Sequence, residues 1–116
     1  MKLAVFLFAM TAPLWAHHSF AAEFDINRPV RLEGVVTRFD WVNPHIEIHL
    51  DVEGVRWTIE AGSPNALLRR GFNKTSICQG TRVIIEGYQA KSGAHRASGR
   101  DIVLPGGQKL LLDAIQ

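Results

Sequence analysis

A single cysteine among 116 residues excludes an intramolecular disulfide. Cys78 follows the apolar Ile77 and reads as a small buried hydrophobe, since nothing beside it marks an activated thiol. An excess of one charge is also missing. Thirteen Lys and Arg stand against eleven Asp and Glu, a net charge of +2. That balance is too weak to argue for nucleic acid or an anionic membrane as partner. Gly-rich phosphate loops and the Gly-x-Ser-x-Gly elbow are absent. Ser63 is better placed to cap a helix than to attack a substrate, and the spacing of Asp25, Asp40 and Asp101 ties none of them to a histidine. These absences point to a module without catalytic activity. The remaining opening for chemistry is oxidation at copper held by an N-terminal histidine.

What is present begins with an export pattern. Met1-Lys2 is a minimal positive start, Leu3 to Met10 an apolar run, and Pro13 ends any helix there. The run is too short to span a bilayer. Cleavage after Ala16 leaves His17-His18-Ser19-Phe20 as the mature N-terminus. A cut after Ala21 discards both histidines, and a retained anchor is the third reading. No lipobox cysteine follows. The expected division is a signal peptide over 1–16, an N-terminal arm over 17–29 and one β domain over 30–116. The expected location is the periplasm or the medium, with no membrane insertion of the mature chain.

The clearest structural signal is Ile46 to Val52, a strict apolar–polar alternation after Trp41-Val42-Asn43-Pro44-His45. It puts His45, Glu47 and His49 on one face and aliphatic residues on the other. A two-residue turn at Glu53-Gly54 pairs Val52 with Val55, Leu50 with Trp57, Ile48 with Ile59 and Ile46 with Ala61. The same register sets Asp51 beside Arg56, His49 beside Thr58 and Glu47 beside Glu60. A one-residue slip would ruin the apolar set. Upstream, Val30 to Trp41 reads as a long strand with Gly34 inside it; Leu32 and Val36 share one parity and Phe39 and Trp41 the other, and this switch implies a bulge or sharp bend. The preceding arm, closed by Pro29, packs Phe20, Phe24 or Ile26 on the domain.

Downstream, Ser63 caps a helix that starts at Pro64 and stops at Gly71. Strands follow at Thr81 to Gln89, Ser98 to Leu104 and Lys109 to Leu112. The polar loop Ala90 to Ala97 separates the first two. The expected fold is all-β with small helical content: a five- to six-stranded OB-fold-like Greek-key barrel with one short helix between strands three and four. A small open sandwich or an SH3-like barrel is the alternative.

Three segments, His17 to Asp25 (HHSFAAEFD), Trp41 to His45 (WVNPH) and Gly62 to Gly71 (GSPNALLRRG), resemble a family of small exported bacterial proteins of unknown function. The resemblance covers nearly the whole mature chain. It implies export and a compact β domain, and it brings no activity and no site residue. The departure is Phe72, where the family pattern leads one to expect tryptophan.

Three places can hold chemistry. His17 and His18 at a free N-terminus suit copper, with zinc or nickel as alternatives; the bland reading is a solvated histidine pair. On the outer face, His45 and His49 lie roughly 13 Å apart along the strand, so they cannot share an ion by themselves. Glu47 and Glu60 oppose each other and need a cation between them: protonated histidine, Arg31, Arg38 or a metal. A metal site from Glu47, Glu60 and His45 or His49 is the sharper hypothesis, and a salt-linked face the bland one. Third, the loops of an OB-like domain would gather Trp41, Asn43 and His45 near Lys91, His95 and Arg96. That surface suits a sugar, a nucleotide or an anionic peptide, unless Trp41 is simply core. The resulting hypotheses are a periplasmic binding module for a small ligand, a copper or zinc carrier, and a structural partner in an envelope complex. Nucleic acid is not an expected partner outside the cytoplasm.

Overall fold

Strand β1 (Phe24–Asp40) is the element that the others are built on, in a computed structural model that describes residues 20–113. It follows one turn of helix, α1 (Phe20–Glu23). β1 begins ahead of Pro29, where the sequence predicts the end of the N-terminal arm. Proline lacks a ladder donor, and the pairing of β1 with its neighbour is irregular between Phe24 and Pro29. Phe24 is buried, whereas Ile26 is 64 % exposed. The expected parity switch is there: the register shifts between Val36 and Arg38. Thr37 is the extra residue of that bulge.

The alternating segment forms β2 (Glu47–Val52) and its partner forms β3 (Val55–Glu60). Their register is the one that the side-chain pattern demands, from Val52 against Val55 to Glu47 against Glu60. The Ala61 N–H donates to Ile46 O at 2.8 Å and continues the ladder beyond it. At the turn both central residues have positive φ, 51° at Glu53 and 84° at Gly54. That is the primed geometry of a two-residue hairpin, and Asp51 Oδ1 accepts from Gly54 N at 2.8 Å. A left-handed conformation costs an ordinary residue roughly 1–2 kcal/mol, and asparagine less. Glu53→Asn is therefore expected to raise the urea midpoint of unfolding. An unchanged or lower midpoint would show that the turn carries no strain.

Helix α2 (Pro64–Arg69) starts where the caps indicate. Ser63 Oγ accepts from Ala66 N at 3.2 Å. Gly71, with φ of 84°, ends it in the left-handed conformation. Its inner side buries Ala66 and Leu67, and Phe72 follows with no exposed surface. The chain then forms β4 (Arg82–Ala90), β5 (Arg96–Val103) and the short β6 (Lys109–Leu111).

The six strands form one sheet in the order β3-β2-β1-β4-β5-β6, and β3 also pairs with β5. That last pairing is parallel, Thr58 to Arg96 through Glu60 to Ser98, and it closes five strands into a barrel-like ring. With α2 between β3 and β4, the connectivity is OB-like. The seam also explains why β5 begins two residues before Ser98: Arg96 and Ala97 are recruited by β3. Inside the ring Val36, Ile48, Leu50, Ile59, Ile85 and Ile102 are fully buried. Cys78 is not part of this core, contrary to its sequence context. It is exposed, and its backbone N–H donates to Thr81 Oγ1 at 3.1 Å in a turn ahead of β4.

Candidate functional site

Where β2 meets β3, the two acidic side chains that the register sets opposite each other are Glu47 and Glu60. Like charges in that position destabilise a ladder. The compensating cation is Arg96, at the start of β5. One guanidinium nitrogen lies 3.8 Å from Glu47 Oε1 and 3.6 Å from Glu60 Oε2. Its Nε donates to Glu23 Oε1 of α1 at 2.8 Å. Burial works against this charge, but the hydrogen bond and charge of Glu23, with Glu60 and Glu47 behind them, raise the Arg96 pKa above its ordinary value. Arg31 and Arg38, the cations that strand order suggested, serve other carboxylates. Arg31 lies beside Glu33 and Glu86, and Arg38 donates to Asp40 Oδ1 at 2.8 Å.

Arg96 is the centre of a longer ladder. On one side His45 Nε2 lies 3.5 Å from Glu60 Oε1. Burial pushes the Glu60 carboxyl above its ordinary range; Glu23 and Glu47 add to this, while His45 and Arg96 oppose it. On the other side His49 Nε2 lies 3.4 Å from both Asp40 Oδ2 and Glu47 Oε2. His49 Nδ1 is 3.3 Å from Thr58 Oγ1. The Arg38 hydrogen bond holds the Asp40 carboxyl below its ordinary range. Two ring nitrogens, His45 Nδ1 and His49 Nε2, are buried without a hydrogen-bond partner among the described residues.

The ladder borders a cavity of about 270 Å³. Its wall is largely apolar and includes Phe20, Phe24, Ile26 and Tyr88, with His45 and Glu60 on the side of the ladder. Phe20 meets Tyr88 edge-on at 5.6 Å and lies tilted against Phe24 at 5.9 Å. Three things hold α1 over this space: the aromatic contacts, the Arg96–Glu23 bond, and a backbone bond from Lys91 N to Glu23 O at 2.8 Å. Arg100 reaches the wall from β5, and its charge is engaged by Asp101 and Glu86.

The six residues proposed for a ligand loop divide between separate places. Trp41 stacks on Phe72 at 6.4 Å and meets Phe39 edge-on at 5.9 Å, so its ring belongs to the edge of the core. Asn43 is exposed and precedes Pro44 through a cis peptide bond. Lys91 is exposed, and His95 packs on Trp57 at 5.0 Å. His45 and Arg96 do come together, through Glu60. Of the proposed metal ligands, Glu47 groups with His49, and Glu60 groups with His45 instead. His17 and His18 lie outside the described residues. The sequence spacing ties Asp40 to no histidine and gives Glu23 no role, yet the β1–β2 register sets Asp40 opposite Glu47 and its Oδ2 lies 3.4 Å from His49 Nε2. The bulge at Thr37 hid this place of Asp40, because it changes which β1 side chains share the face of Glu47.

Residues 5–99 match a family described as a family of unknown function (DUF6152), and the chain belongs to that family. The matched span includes all three segments that carried the resemblance. No curated protein and no solved structure matches the chain.

Proposed function

We propose that this protein is an exported, non-catalytic binding module that takes a small ligand into the cavity under α1. The observation that carries the reading is the chemistry of the cavity wall. Small-molecule sites are concave and mainly apolar, with a few polar groups to fix orientation. Here aromatic rings supply the apolar part, and His45 with Glu60 supplies the polar end. A ligand with a compact apolar body and one hydrogen-bonding head fits that description better than a sugar or a nucleotide. The exposed Ile26 adds to the case, since an isoleucine 64 % exposed on a strand gains little from folding alone. Export rests on Lys2 and the apolar run after it; among the described residues, no helix is long and apolar enough to cross a membrane.

The test uses naphthol as probe. Saturating naphthol is expected to raise the melting temperature of the wild type. Ile26→Ser is expected to melt like the wild type alone and to lose most of the shift. An absent wild-type shift, or an equal shift in the variant, would refute the cavity as the binding site.

A further inference from the structure

We propose that Asp40, Glu47 and His49 form a divalent-cation site, separate from the cavity, whose donor set suits zinc. The three side chains come from the end of β1 and from β2, and they offer two carboxylate oxygens and one imidazole nitrogen within 4.8 Å of one another. Their spacing fits an ion. Zinc bonds of about 2.0–2.2 Å in a tetrahedron set neighbouring ligand atoms roughly 3.4 Å apart. His49 Nε2 lies 3.4 Å from Asp40 Oδ2 and 3.4 Å from Glu47 Oε2.

The second observation is the state of that nitrogen. His49 Nε2 is buried, and it makes no hydrogen bond to either carboxylate. The other ring nitrogen is 3.3 Å from Thr58 Oγ1. A hydroxyl there can accept the Nδ1 proton, which leaves the Nε2 lone pair facing two anionic oxygens. Metal-bound histidines are held in this way through their second nitrogen. The remaining oxygens are already used: Asp40 Oδ1 accepts from Arg38, and Glu47 Oε1 faces Arg96. Both carboxylates therefore turn their other oxygen to the same point as the imidazole. Three protein ligands leave a fourth position open to water or to a partner's donor.

Zinc alone is the probe, titrated by calorimetry into full-length protein without a histidine tag. One equivalent is expected to bind. Asp40→Asn and His49→Gln are each expected to weaken that binding at least tenfold, while a double variant with His17→Ala and His18→Ala retains it. Glu47→Gln serves as a second carboxylate variant should Asp40→Asn fail to fold, as judged by circular dichroism. Three results would overturn the site: no binding by the wild type, undiminished binding by the folded carboxylate variants, or loss of binding in the double variant. Ile26→Ser leaves zinc binding unchanged, so failure of this site and failure of the cavity are told apart.

Discussion

Arg96→Met is expected to lower the unfolding free energy by about 2–3 kcal/mol, measured by urea denaturation at neutral pH. Removing one partner from a buried ion pair costs roughly 3–5 kcal/mol, and exposed pairs contribute far less. Arg96 lies between these limits, because its side chain is 32 % exposed. The cost is high because one guanidinium serves three carboxylates on three elements: Glu23, Glu47 and Glu60. Methionine keeps the stem's packing and leaves the acids facing one another. The variant also has a pH signature. In the wild type Glu60 already has a raised pKa, so its contribution to stability is greatest below its ordinary value of 4.5 and declines as pH rises through the folded value. Without Arg96 that decline should steepen, and the deficit should shrink as the solution is acidified toward that value. A methionine variant as stable as the wild type would mean that solvent, not Arg96, screens the acids.

Phe72→Ala is expected to cost about 3–5 kcal/mol, the usual range for truncating a buried phenylalanine. The ring has no exposed surface, lies 5.8 Å from Phe39 and stacks on Trp41. Trp41→Ala should destabilise too, and the two changes should not add. Aromatic pairs are coupled by about 0.5–1.5 kcal/mol beyond their buried area, so a double-mutant cycle should return a coupling in that range. The cycle also decides the role of Trp41. If the ring is core, Trp41→Ala lowers the urea midpoint and leaves the naphthol affinity of the folded fraction intact. A variant of unchanged stability that loses ligand binding would restore Trp41 as part of a ligand site.

The hairpin of β2 and β3 was legible in the sequence because its side-chain period is two and its turn allows one register. The same logic placed Glu47 against Glu60 and required a cation there. What it could not supply was which cation. Arg96 arrives through the parallel pairing of β3 with β5, a contact between residues far apart in the chain, and no local pattern encodes it. The helix was legible from Ser63, Pro64 and Gly71, each of which acts on its own neighbours. Trp41 was ambiguous because its parity with Phe39 fits a core position, while its place beside Asn43-Pro44 fits a loop; Phe72, which decides the matter, lies 31 positions on. Cys78 was misplaced because apolar context does not reveal that a turn faces outward. The cavity could not be foreseen, since α1 covers it only once Glu23 has met Arg96.

Ligand binding in that cavity is tested most directly by chemical-shift mapping of a naphthol titration by heteronuclear NMR. The predicted result is saturable shifts at Phe24, Ile26, Tyr88 and Ser98 to Arg100, with the backbone of Trp41, Asn43 and His95 unmoved. Shifts centred on Trp41, Asn43 and His95, or no saturable shift at all, would contradict it.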